Sequence, residues 1–119
     1  MLRNSLLGKQ AVVLGGGIAG LLAARVLTEH FERVVLVERD RYPEDPVFRP
    51  GVPQAWHIHL LLLRGQQIIE ELFPGIRHDL MTKGAIQCDF MNDYCTCYPS
   101  GWLRRSPSQV RGYVVTRLL

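Results

Sequence analysis

The sequence predicts an α/β fold: a βαβ unit on an incomplete parallel sheet, followed by a helix and a small antiparallel hairpin region. Three observations carry this. "QAVVLG" (10–15) is a short continuous apolar run ending in glycine, the pattern of a buried parallel strand. At Ile18 the apolar period changes to that of a helix. Ile18, Leu21, Leu22 and Val26 share one face, and Ala19, Ala23 and Ala24 permit close packing. "RVVLVE" (33–38) then gives a second apolar run, so strand, helix and strand fit within about 30 residues, the size of one βαβ unit.

The first nine residues read as a short arm, and the helix from Ile18 should end near His30. Residues 39–55, "RDRYPEDPVFRPGVPQA", carry four prolines and a glycine, which predicts a loop. Helical spacing returns in "WHIHLLLLRGQQIIEELF" (56–73), with Leu61, Ile68 and Leu72 on one stripe and Pro74-Gly75 as the stop. A short helix is expected over 77–83, ending at Gly84. "AIQCDFMN" (85–92) alternates roughly, "YCTCYPSGWLRR" (94–105) suits a hairpin turning at 99–101, and "GYVVT" (112–116) suits a strand. Residues 1–119 are thus expected to form a single partial domain.

The composition is that of an ordinary globular chain, with 47% apolar and 21% charged residues. The net charge is +3, but the arginines are scattered and no basic run exists, which argues against nucleic acid as a partner. The longest purely apolar run, Leu60 to Leu63, is far below the roughly 20 residues a membrane span requires. Lys9 and Gln10 interrupt the apolar N-terminus, so no signal peptide is expected. An odd count of three cysteines then suggests reduced thiols and a cytoplasmic location.

Gly15, Gly17 and Gly20 spell G-x-G-x-x-G, and Ala24 extends it. In a dinucleotide-binding unit Gly15 makes the tight turn, Gly17 lets a pyrophosphate meet bare backbone, and Gly20 with Ala24 brings the helix close to the sheet. The backbone N–H groups of Ile18 and Ala19 lie at the positive end of the helix dipole. Glu38 follows Gly20 by 18 residues, where a carboxylate can accept from both ribose hydroxyls of an adenosine. This is the Rossmann-like arrangement. The charge of Glu38 disfavours a 2′-phosphate, and Arg39 beside it partly offsets that repulsion.

The stretch "VERDR…RPGVPQAWHIHLLLLRG…LFPG" resembles the FAD-dependent oxidoreductases of the p-hydroxybenzoate hydroxylase-like class, and more closely a bacterial group of FAD-binding monooxygenases. The likeness runs from residue 11 to the end. It departs at Ala55-Trp56, where a small and a basic residue are usual. The resemblance implies a bound FAD, with its pyrophosphate at Gly15, Gly17 and Gly20, its adenosine ribose at Glu38 and its adenine beside Arg39. Arg49 matches an arginine reaching the ribityl–pyrophosphate region. Arg117 matches one lining the cofactor side in an "[ST]-R-x-x-L" helix start. The resemblance further implies NAD(P)H as reductant, O₂, and a small organic substrate bound by later parts of a longer chain. The 119 residues therefore read as an N-terminal segment. The rival readings are an NAD-dependent dehydrogenase domain and a non-catalytic fragment.

No side chain here is a convincing acid, base or nucleophile, so no catalytic residue is expected, and no metal site. His57 and His59 share a face only on a strand and have no third ligand; a helix-start histidine with a structural hydrogen bond is the favoured reading. Cys88, Cys95 and Cys97 offer C-x-C, which suits neither zinc nor a redox dithiol, and read as buried or half-buried structural thiols. Trp102 and Tyr94, Tyr98 and Tyr113 read as packing residues. Glu70 and Glu71 occupy consecutive helical positions and read as a solvated face.

Overall fold

The computed structural model describes residues 6–45 and 47–116. The chain is mixed α/β, with three helices and small sheets among the described residues. It falls into two compact units, Met1–Pro53 and Gln54–Leu119.

The first unit holds strand β1 (Gly8–Leu14), helix α1 (Ile18–Leu27) and strand β2 (Phe31–Val37). β1 and β2 pair in parallel, from Gly8 opposite Phe31 to Leu14 opposite Val37. The ladder runs one step further, because Gly15 N–H donates to the Val37 carbonyl (2.8 Å). β1 starts at Gly8, so part of the expected arm belongs to the sheet, while residues 1–5 lie outside the described residues. Helix α1 stops at Leu27, three residues before His30; Thr28 turns its hydroxyl back to the Arg25 carbonyl (2.6 Å) and closes the last turn. Val13 is buried, whereas Val12, Leu14, Ile18 and Leu21 are all exposed. A sheet of two parallel strands has too few neighbours to cover its apolar side chains.

The second unit corrects the helix expected over 56–73. A 3₁₀ turn spans Pro53–Trp56, β3 spans His59–Leu61, and helix α2 is confined to Leu63–Leu72. Leu60 to Leu63 form a continuous apolar run, which helix and strand tolerate equally. Here pairing with β7 (Arg111–Val115) decides, setting His59 opposite Val115 and Leu61 opposite Tyr113. β7 is the central strand, flanked antiparallel by β3 and by β4 (Ile86–Asp89). Helix α3 (Ile76–Thr82) ends as expected at Gly84, whose φ is +98°. Ala85 N–H bonds the Leu80 carbonyl and Gly84 N–H the Met81 carbonyl, a Schellman closure that needs a left-handed residue.

Two side chains tie this unit together. Gln66 is buried on α2, and its Nε2 donates to the carbonyls of Leu61 (2.9 Å) and Arg111 (2.8 Å), fixing the helix to two strands at once. Asp89, also buried, accepts from the Ser108 hydroxyl and N–H (both 2.6 Å) and from Met91 N–H (3.0 Å). It thereby closes the base of an excursion that carries the small hairpin β5 (Cys97–Tyr98) and β6 (Gly101–Trp102). The Ser108 hydroxyl, then its N–H, holds the Asp89 carboxyl below its ordinary value.

Four further expectations are corrected in whole or in part. Trp102 and Tyr98 on the hairpin are exposed, as are Cys95 and Cys97, because a two-residue ladder offers no face to bury them; only Cys88 of the thiols is buried. Glu70 is half-buried and does more than face solvent: it accepts from Gly75 N–H (2.8 Å) and Arg77 N–H (3.1 Å) and so caps α3, while Glu71 is exposed as expected. His59 is a strand residue, and its Nε2 lies 2.8 Å from the Gln54 carbonyl; since a carbonyl only accepts, this nitrogen carries the proton.

Gln66→Met keeps the side-chain length but removes both donors. It should destabilise the chain by about 1–3 kcal/mol, read as a lower urea midpoint.

Candidate functional site

The bend between β1 and α1 is built by Gly15, Gly16 and Gly17, each for a different reason. Gly15 has φ +96°, a conformation side chains rarely adopt, so the first glycine of the motif makes the tight turn. Gly17 has ordinary extended angles, and a Cβ there would meet nothing within 4 Å. The backbone is therefore bare and open at Gly17, the position where the motif predicts a phosphate. Gly20 is required by contact: a Cβ would lie 1.9 Å from the Gly15 carbonyl oxygen and 3.5 Å from Val13 Cγ1. The helix thus presses on the turn itself as well as on β1.

Gly17 is the N-cap of α1. It supplies no side-chain cap, and no acidic residue stands in the first turn. The N–H groups of Ile18 and Ala19 open the helix, where backbone donors have no intrahelical acceptor. Their dipole end faces no charge of the helix's own making.

Glu38 follows directly on β2 and turns back to the bend. Its Oε2 accepts from Gly16 N–H (2.5 Å) and its Oε1 from Asp40 N–H (3.1 Å). The Asp40 amide foremost, then that of Gly16, holds the Glu38 carboxyl below its ordinary value near 4.5. A carboxylate offers about four acceptor positions, so these bonds leave capacity for hydroxyl donors.

Three residues not singled out from the sequence complete the site. Tyr42 donates its hydroxyl to the Gly16 carbonyl (2.7 Å). Gly16 itself is buried, and a Cβ there would fall on the Tyr42 hydroxyl. Asp40 accepts from Gly51 N–H (2.8 Å) and so folds the "RPG" turn back towards the end of β2. The triple glycine was the only visible hint of Gly16. Tyr42 and Asp40 act across separations of 26 and 11 residues, which no local pattern reports.

Arg49 lies at the centre of this group. Its guanidinium sits 4.7 Å from the Tyr42 ring centroid, with Nη2 3.5 Å from the Gly16 carbonyl. Nη1 is 3.8 Å from Glu38 Oε2 and 3.9 Å from Asp40 Oδ2. These are ion pairs at long range, and Nη1 is buried with no hydrogen bond. A buried donor without an acceptor is costly, and an anionic oxygen at the bend would relieve it.

Of the residues expected from the sequence, the structure gathers Gly15, Gly17, Gly20, Glu38 and Arg49 around one bend. Arg39 is not among them: its side chain is 82% exposed, with only a 3.9 Å approach to Asp40. It lines a cleft of about 360 Å³ together with Asp40, Phe48 and Arg49. Arg117 lies outside the described residues. At the place of departure in the loop, Ala55 is buried and Trp56 is largely exposed. No group of three or more His, Cys, Asp or Glu among the described residues could hold a metal ion, and no helix among them is long and apolar enough to cross a membrane.

No family model matches the chain. It is similar to Protein Rv3254 of Mycobacterium tuberculosis (strain ATCC 25618 / H37Rv), with 50% identity over 74 residues, or 62% of this chain. The matched stretch spans 16% of that protein's length.

Gly20→Ala sets a Cβ against the Gly15 backbone carbonyl, which no side-chain rotation relieves. It should destabilise the chain by about 2–4 kcal/mol in thermal unfolding. Glu38 also predicts a pH dependence. Its folded value is depressed, so its contribution is complete above the unfolded value near 4.5 and is lost as pH falls through the folded one. The melting temperature should drop below that pH, and Glu38→Gln should make the drop shallower.

Proposed function

We propose that this chain binds FAD through a Rossmann-like βαβ unit and forms the N-terminal part of an FAD-dependent oxidoreductase, a flavin monooxygenase acting on a small organic substrate. The observation that carries the reading is one juxtaposition. An open glycine bend, a helix start without a side-chain cap and the Glu38 carboxylate meet within the same few residues. A diphosphate suits the first two, which offer bare main chain and N–H donors without an intrahelical acceptor. A sugar suits the third, because the spare acceptor positions of Glu38 match vicinal hydroxyls. The buried Nη1 of Arg49, without a hydrogen bond, adds a cationic donor of the kind a phosphate oxygen satisfies.

Gly15, Gly17, Ile18, Ala19 and Gly20 would hold the diphosphate, Glu38 the ribose, and Arg49 the phosphate side of the cofactor. Arg39 would lie towards the adenine at the rim of the cleft it lines. The bound flavin would supply the redox chemistry that no side chain of this segment offers, with NAD(P)H as its reductant. The chain's own contribution is to bind and orient. The choice of FAD over NAD rests on the likeness of residues 38–75 to the monooxygenase group. The substrate and the remaining flavin contacts belong to later parts of such an enzyme.

Titration of the chain with FAD and with NAD, followed by flavin fluorescence and by calorimetry, tests the reading. Saturable FAD binding is expected, weakened about tenfold or more by Glu38→Ala. Preference for NAD would favour a dehydrogenase domain. Binding of neither would leave a non-binding fragment.

A further inference from the structure

We propose that Tyr42 is the residue that positions Arg49 for the diphosphate of a nucleotide at the glycine bend. This rests on the nucleotide reading above and adds a residue to it. Tyr42 grips two things at once. Its hydroxyl bonds the Gly16 carbonyl at 2.7 Å, and its ring lies beneath the Arg49 guanidinium at 4.7 Å. The phenol therefore ties the loop carrying Arg49 to the main chain that would receive phosphate.

The arrangement answers a specific difficulty. A free arginine side chain carries about 2 kcal/mol of rotamer entropy, which is lost when it clamps a ligand. Here that loss is taken in folding. Glu38 and Asp40 supply opposite charge at 3.8 and 3.9 Å, too far for hydrogen bonds, so they hold the guanidinium without consuming Nη1. The Tyr42 ring supplies the flat support that neither carboxylate can. Gly16 has no side chain because the Tyr42 hydroxyl occupies the space of its Cβ. Tyr42 is thus a positioning residue acting through Arg49.

The test uses the 119-residue chain, with Tyr42→Phe, Tyr42→Leu, Arg49→Leu and the Tyr42→Leu/Arg49→Leu double variant. Without ligand, the Arg49 side-chain resonances should show ring-current shifts that persist in Tyr42→Phe and vanish in Tyr42→Leu. FAD affinity should fall roughly two- to tenfold in Tyr42→Phe, the worth of one hydrogen bond. Tyr42→Leu should weaken binding as much as Arg49→Leu, and the double variant no further, since one residue works through the other. Additive losses would make Tyr42 an independent ligand contact and overturn the proposal. Unchanged Arg49 resonances in Tyr42→Leu would overturn it even where binding is weak. If the parent chain binds neither FAD nor NAD, the nucleotide reading and the ligand assigned here fall together, while the resonances still decide whether Tyr42 fixes Arg49.

Discussion

Gly16 has one N–H and one carbonyl to offer, and the segment following β2 takes both. Glu38 accepts from the first, and Tyr42 and Arg49 approach the second. These contacts span 22, 26 and 33 residues of sequence, so they fix the bend from outside rather than by its own torsions. Gly15 continues the sheet ladder to Val37 on one side, and Gly20 presses against the Gly15 carbonyl on the other. The bend is held from three directions, and the space beside Gly17 stays open because none of the three passes through it.

This explains how a loop with four prolines can belong to a defined site. Asp40 draws Gly51 inward, and the Arg49–Val52 turn closes with a 3.1 Å backbone bond. Pro50 restricts the turn between them. Arg49 is thereby delivered to the bend by the loop's own geometry. Its two carboxylate neighbours keep its charge balanced in a setting where an unpaired guanidinium would be unfavourable.

The sequence was most legible where structure is local. β1, α1 and β2 announce themselves by their periods, and the positions of Gly15 and Gly20 follow from the conformation and close packing of the turn. The Gly84 stop was equally readable, because a left-handed residue after a helix has few alternatives. Legibility failed where partners far apart in sequence decide. His59 to Leu61 look helical until Tyr113 and Val115 are known to lie opposite. Glu70 shows no partner in sequence until the chain turns at Pro74-Gly75 and brings the start of α3 within its reach. Within the site, the motif residues were readable and the triple glycine hinted at Gly16, but Asp40 and Tyr42 were not, since their partners lie 11 and 26 residues away.

The crowding at Gly20 carries a consequence for reading other genomes. Its absent side chain is demanded by the protein's own carbonyl at 1.9 Å, so this glycine is owed to architecture and says nothing of cargo. Gly17, with vacant room around it, has no such obligation. In a set of related chains, one that swaps the latter for a bulkier letter while keeping the former would retain its shape and, on the nucleotide reading proposed above, give up the opening for its guest.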